Sequence, residues 1–309
     1  MALISIVTPC YNEEDNVAEL YRQVKEVFAK IPQHRYEHIF IDNASKDRTV
    51  EILKGLASQD SNVKIIVNVR NFGHIRSPFY GLLQAKGDAV ILLVADLQDP
   101  PTMILDFISE WEKGYKVVLG IKDEAEESPV MFRIRRAYYG MLTRLADIEL
   151  VKNNTGFGLY DQRVIEIFRG LNDPYPYLRG LISEIGFESA KIPYKQPRRR
   201  RGITKNNFYT LYDMAMLGFT SHSKVPLRLA TMAGFAFSAL SLLIAFAYLV
   251  AKLLFWDVFV AGTAPILIGV FVFSSIQLFF IGLLGEYVLS IHTQILKRPL
   301  VTDKMRIGF

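Results

Sequence analysis

The sequence predicts an α/β protein: a doubly wound, mainly parallel sheet, followed by interfacial helices and two membrane-spanning helices. Three observations lead there. Short β-rich runs alternate with amphipathic helical patterns through residue 122. The polar residues that interrupt this alternation gather at the carboxyl ends of the runs, where such sheets bind ligands. Residues 229–290 are nearly free of charge, although the 309-residue chain carries a net charge of +5 and is 50% hydrophobic.

The strand candidates are Leu3–Thr8, His38–Asp42, Lys64–Asn68, Ala89–Ala95 and Lys116–Ile121. Helical patterns fall near Asp15–Lys30, Arg48–Ser58, Ile75–Ala85 and Thr102–Glu112. The fourth strand organises the rest. Val90 to Ala95 is a continuous apolar run, as expected of a strand buried on both faces. It ends in Asp96, Gln98 and Asp99, and Pro100-Pro101 then suits a helix start. Carboxylates at the end of a buried strand are costly unless something binds them. A divalent metal carrying a nucleotide diphosphate would do so; an Asp that merely caps the next helix is the alternative. Four further ends point to the same edge: Pro9 to Glu14, Asp42 to Ser45, Asn68 to Gly73, and Gly120 to Lys122.

Residues 123–147 open with an acidic loop and continue into clustered arginines, among them Arg133 and Arg136. They read either as a solvated face or as a lid whose arginines meet phosphate. Asn153 to Asp161 reads as a turn-rich segment leading into a helix. The basic run Lys195 to Lys205 contains Arg198-Arg199-Arg200-Arg201, yet the aromatic and aliphatic stretch 206–223 argues for a membrane surface and against nucleic acid. The 23 residues 229–251 have no charge, enough to cross a hydrocarbon core of about 30 Å, and Gly262–Gly285 supplies a second span. Lys224 and Arg228 precede the first span, and Lys297, Arg298, Lys304 and Arg306 follow the second. The positive-inside rule therefore puts both termini in the cytoplasm. Small residues along the spans permit close helix contacts within or between subunits. Cys10 is the only cysteine, which excludes an intramolecular disulfide and a thiolate metal cluster. The start has no signal-peptide pattern. The expected division is a catalytic domain over 1–205, an interfacial segment over 206–228, a membrane hairpin over 229–290 and a cytoplasmic tail over 291–309.

Ile6 to Glu14, Ile41 to Asp47, Asn71-Phe72-Gly73 and Ala95 to Pro101 together resemble glycosyltransferase family 2, with its GT-A fold. Gly202-Ile203-Thr204-Lys205 and the two terminal spans resemble its polyprenyl-phosphate branch, the GtrB-type bactoprenol glucosyltransferases and the dolichol-phosphate mannose synthases. The resemblance implies that Pro9, Tyr11, Asn12, Glu13, Asp42, Gly73 and Asp96 hold the nucleotide. It implies that Asp96 and Gln98 bind Mg²⁺ or Mn²⁺, with Asp99 as an addition. Asp96, Asp161, Arg133 and Arg136 are its catalytic candidates, and Lys122, Arg199, Arg201 and Lys205 its phosphate- and acceptor-binding ones. For Asp161 a helix cap is the competing reading. Val94 replaces the first Asp of the usual Asp-Ala-Asp motif, Asn43 the second Asp of Asp-Asp-Gly-Ser, and Gly158 stands where Arg is common. The implied reaction is inverting transfer of a hexose, glucose from UDP-glucose, to undecaprenyl phosphate on the cytoplasmic face of a bacterial membrane, by a homo-oligomer such as a tetramer. The alternatives are mannose from GDP-mannose and a membrane-anchored, non-catalytic nucleotide-sugar binder.

Overall fold

The computed structural model describes residues 1–122, 151, 153–195, 225–254, 263–296 and 298–309. Nine elements alternate at the start: β1 (Leu3–Cys10), α1 (Val17–Ala29), β2 (Arg35–Asp42), α2 (Thr49–Gln59), β3 (Val63–Asn68), α3 (Gly73–Gln84), β4 (Ala89–Leu92), α4 (Met103–Glu112) and β5 (Val117–Lys122). Then follow β6 (Asn154–Asp161), α5 (Gln162–Leu171), α6 (Leu178–Ile185), β7 (Ser189–Tyr194), α7 (Val225–Leu254), α8 (Thr263–Ile295) and β8 (Asp303–Ile307).

The eight strands form one sheet in the order β7-β5-β6-β4-β1-β2-β3-β8. Its centre is the parallel set β4-β1-β2-β3. The central strands are apolar on both faces because helices cover both. Ile4, Ile6, Phe40 and Ile91 pack on the side of α1 and α4, with Val24 and Phe107. Val7, Ile39, Ile41 and Val90 pack on the side of α3 and α5, with Phe79 and Phe168.

Two strands depart from the simple alternation. β6 lies antiparallel between β4 and β5, in a segment whose glycines suggest only turns. One of those glycines is required by packing, since a Cβ at Gly158 would run into the Val118 carbonyl of β5. No arginine can stand there on this backbone. β8 adds antiparallel to β3 at the far edge. Because β6 opposes both β4 and β5, β1 to β5 all point the same way, and their carboxyl ends share one edge.

β4 is shorter than its apolar run. The Leu93 amide still donates to the Val7 carbonyl at 2.9 Å, but the chain then leaves the ladder for a tight turn. In that turn Leu97 has φ 57°, and the Gln98 amide donates to Asp96 Oδ1 at 3.1 Å.

α7 and α8 are long and apolar enough to cross a membrane, by length and composition. Large apolar side chains along both face outward, Phe235 and Phe279 among them. α8 extends to Ile295, beyond the apolar stretch, because its last turns hold no proline; Pro299 follows shortly after. The acidic loop and arginines of 123–147, the basic run 196–205, the stretch 206–223 and the 255–262 turn lie outside the described residues.

Candidate active site at the carboxyl edge of the sheet

The loop after β1 and the loop after β2 are tied together. Asn12, with φ 55°, donates its amide to Ser45 Oγ at 2.8 Å and accepts from the Lys46 amide at 2.8 Å. The Glu13 amide donates to Thr49 Oγ1 at 2.9 Å, and the Glu14 amide to Asp47 Oδ2 at 3.2 Å. These bonds hold Pro9 to Glu14 beside Asp42. Asp42 is fully buried, and one of its oxygens accepts from the Ser45 amide at 3.0 Å. The other oxygen is buried with no donor among the described residues. Burial pushes the carboxyl above its ordinary value, against the hydrogen bonds from Ser45 and Ala44. A buried acceptor of this kind calls for a donor, from ordered water or from a ligand N–H.

Next to it, Asn43 uses its whole amide. Nδ2 donates to Asn71 Oδ1 at 2.9 Å and to the Gly73 carbonyl at 3.1 Å, while Oδ1 accepts from the Phe72 amide at 2.8 Å and from Asn68 Nδ2 at 3.1 Å. An aspartate has no N–H for the first two bonds. Asparagine at 43 thus fixes the 71–73 loop at the start of α3, where Gly73 has φ 86°.

Asp96 follows β4 at the same edge. Asp99 is buried and accepts from the Tyr194 hydroxyl at 2.7 Å. Burial raises its carboxyl to about 6; the Tyr194 bond opposes this, the Asp96 charge adds to it, and Lys122 opposes it. Asp96, Lys122 and Tyr194 therefore meet around one carboxylate, at the ends of β4, β5 and β7. Tyr194 was invisible in the sequence, where a lone tyrosine after a proline carries no signal.

Among the described residues no group of three or more His, Cys, Asp or Glu gathers as a metal site. The oxygens of Asp96, Gln98 and Asp99 nevertheless fit a hard divalent cation, because Mg²⁺ is held by one or two carboxylates together with substrate phosphates. Pro9, Tyr11, Asn12, Glu13, Asp42, Gly73, Asp96, Gln98 and Lys122 all lie at this edge. Arg133, Arg136, Arg199, Arg201 and Lys205 lie outside the described residues.

Asp161 is the correction. β6 runs antiparallel, and its Asp161 pairs with Ala89 at the amino end of β4. The carboxylate caps α5 through the Arg163 amide at 3.0 Å and accepts from Trp111 Nε1 at 2.7 Å and Lys116 Nζ at 3.0 Å. It sits across the sheet from Asp96 and does not join that site. A cavity of about 880 Å³, bounded by His34, Trp111, Lys116 and Asp161 among others, also lies at this opposite edge.

Comparison with known proteins gives the following. The pattern of glycosyl transferase family 2 matches residues 5–168. An uncharacterized glycosyltransferase, YkcC, of Bacillus subtilis is 36% identical over 98% of this chain and 94% of its own length. The bactoprenol glucosyl transferase of Shigella phage SfII is 31% identical over 96% of each chain. Among solved structures, glucosyl-3-phosphoglycerate synthase from Mycobacterium tuberculosis, in complex with Mn²⁺, UDP and phosphoglyceric acid, is 17% identical with a TM-score of 0.47, over 71% of this chain and 76% of that one.

Proposed function

The chain belongs to glycosyltransferase family 2, and on that premise we propose that it transfers a hexose, glucose from UDP-glucose, to the phosphate of undecaprenyl phosphate at the cytoplasmic membrane face. The catalytic unit is 1–205, joined through 206–228 to the hairpin 229–290, with the tail 291–309 on the catalytic side. One observation carries the lipid acceptor. After two helices of membrane-crossing length, residues 303–307 add a strand to the same sheet that holds Asp42 and Asp96. A cleft tethered this way works at the bilayer surface. The resemblance to bactoprenol glucosyl transferases supports the same acceptor.

In this reading Asp42 accepts from the base through its unpaired buried oxygen, and the 9–14 and 71–73 loops enclose the nucleoside. Asp96 and Gln98, with Asp99, hold Mg²⁺ or Mn²⁺. That ion, when bound, supplies positive charge for the leaving diphosphate. The acceptor phosphate is already an anion, since the second pKa of a phosphate monoester is about 6. A strong general base is therefore unnecessary, and the chain's work is alignment and charge neutralisation. Lys122 faces the Asp96–Asp99 pair and serves the second task; Arg133, Arg136, Arg199, Arg201 and Lys205 belong to the same proposal. Assembly as a homo-oligomer is part of it too, supported by small residues along the apolar helices, Gly234, Gly269 and Gly282 among them.

The test is transfer of radiolabelled sugar to undecaprenyl phosphate in detergent, with and without EDTA, alongside Asp96→Ala. Lipid-linked glucose whose formation needs metal and Asp96 is expected. Transfer that survives both EDTA and Asp96→Ala would remove the metal site, and competition by GDP but not UDP would replace the donor.

A further inference from the structure

Arg76 stands in the first turn of α3, directly after the 71–73 loop. Its Nε is buried without a hydrogen-bond partner, and the side chain makes no hydrogen bond or ion pair among the described residues. An aromatic face lies beside it: the guanidinium is 5.4 Å from the centre of the Tyr175 ring. Arg76 is partly buried, and an N–H withdrawn from solvent ordinarily finds an acceptor.

Tyr175 belongs to the 172–177 connection from α5 to α6. α5 starts at the amino edge with Asp161 as its cap and runs back across the sheet, so this connection lies at the edge that holds Asp42 and Asp96. Leu178, the next residue, comes near Gly156 at the start of β6, where Leu92 at the end of β4 also packs. The connection also meets the apolar helices: Gln294 of α8 donates to Asp173 Oδ1 at 3.0 Å. Asp173 makes no ion pair with Arg76 among the described residues. Its Oδ1 accepts from the Tyr175 amide at 2.9 Å and from Gln294, closing the turn on itself. A guanidinium with no acidic partner among the described residues is thus held between the 71–73 loop and the end of a membrane-length helix.

Its mount is rigid. Asn43 and Asn68 fix the start of α3, the latter through Ser77 Oγ at 3.0 Å. Farther along, the Tyr80 hydroxyl donates to Asp303 Oδ1 at 3.1 Å, and Arg169 donates to the Leu83 and Ala85 carbonyls.

We propose that Arg76 is a phosphate-binding residue, placed to take the oxyanion of a phosphate at the membrane-facing side of the cleft. The inference rests on the glycosyl-transfer reading, in which both the donor diphosphate and the lipid phosphate come to this edge. The planar fork of arginine suits either.

The test uses the full chain in nanodiscs, titrated separately with inorganic pyrophosphate and with farnesyl phosphate. Arg76→Gln is expected to weaken at least one of these by about 10- to 100-fold, as for loss of a charged hydrogen bond. Arg76→Lys, which keeps the charge and loses the fork, is expected to fall between, and it carries the test should Arg76→Gln fail to fold. Weakening confined to pyrophosphate assigns Arg76 to the donor; weakening confined to farnesyl phosphate assigns it to the acceptor. Unchanged affinity for both in the folded variants overturns the proposal, as does failure of the unmutated chain to bind either. Arg76-dependent binding in a chain that transfers no sugar would retain the phosphate site and overturn the glycosyl-transfer reading instead.

Discussion

Asp161 and Asp96 are both aspartates that end a β-rich run, and their environments separate them. Asp161 is mostly buried, which works to raise its pKa, but the hydrogen bonds from Trp111, Lys116 and the Arg163 amide hold the carboxyl below its ordinary value. It is a structural anion with three donors. Asp161→Ala removes the cap of α5, worth about 0.5–2 kcal/mol, and leaves Trp111 Nε1 and Lys116 without their partner. A lowered melting temperature is expected, with donor KM and kcat within about twofold of the unmutated chain at a temperature where both are folded. Loss of transfer by folded Asp161→Ala protein would return the residue to the active site. The sequence could not distinguish these cases, because residue spacing does not say which way a strand runs. Asn43 is the converse. Its place beside Asp42 was plain, but its use of every donor and acceptor to fasten the 71–73 loop depends on Asn68 and Asn71, which are distant in sequence.

At the scale of elements, the first nine were legible because each apolar run and helical stripe reports its own burial. β1 to β3 and β5 have the expected core, and α1 to α4 deviate only at their ends. Three strands were missed, β6, β7 and β8, and two of them share one cause. β6 and β8 owe their pairing to distant strands rather than to local pattern: Gly158 is chosen by contact with Val118, and the five-residue β8 forms only against β3. β8 also holds the nucleotide-side helix, since Arg306 donates to Gln84 Oε1 at 3.0 Å and to the Tyr80 hydroxyl at 2.5 Å. These exposed bonds each contribute little, whereas the ladder covers an otherwise open edge. Deleting residues 303–309 is therefore expected to speed amide hydrogen exchange across β3 and α3 by at least tenfold, and Arg306→Ala by much less. Equal effects of the two would mean that the arginine, and not the strand, secures the edge.

For the whole molecule, the returning strand constrains topology independently of charge. β8 pairs with β3, so residues on either side of the two apolar helices occupy the same compartment in one chain. A membrane that contains both helices must then be crossed an even number of times. The Lys and Arg residues flanking the two helices agree with the proposed topology, in which that shared side is the cytoplasm. The two arguments can be tested together. Cys10 is buried, so a Cys10→Ser background offers a clean start for single-cysteine labelling. Cysteines at positions 60 and 309 are expected to react with an impermeant maleimide only in inside-out vesicles, and one at position 257 only in right-side-out vesicles. Labelling of 60 and 309 on opposite sides would mean that β8 does not pair with β3 of its own chain in the membrane. Labelling of all three on one side would make α7 and α8 surface-lying helices. Either result would leave the carboxyl-edge arrangement of Asp42 and Asp96 intact while removing the tether on which the proposed lipid acceptor rests.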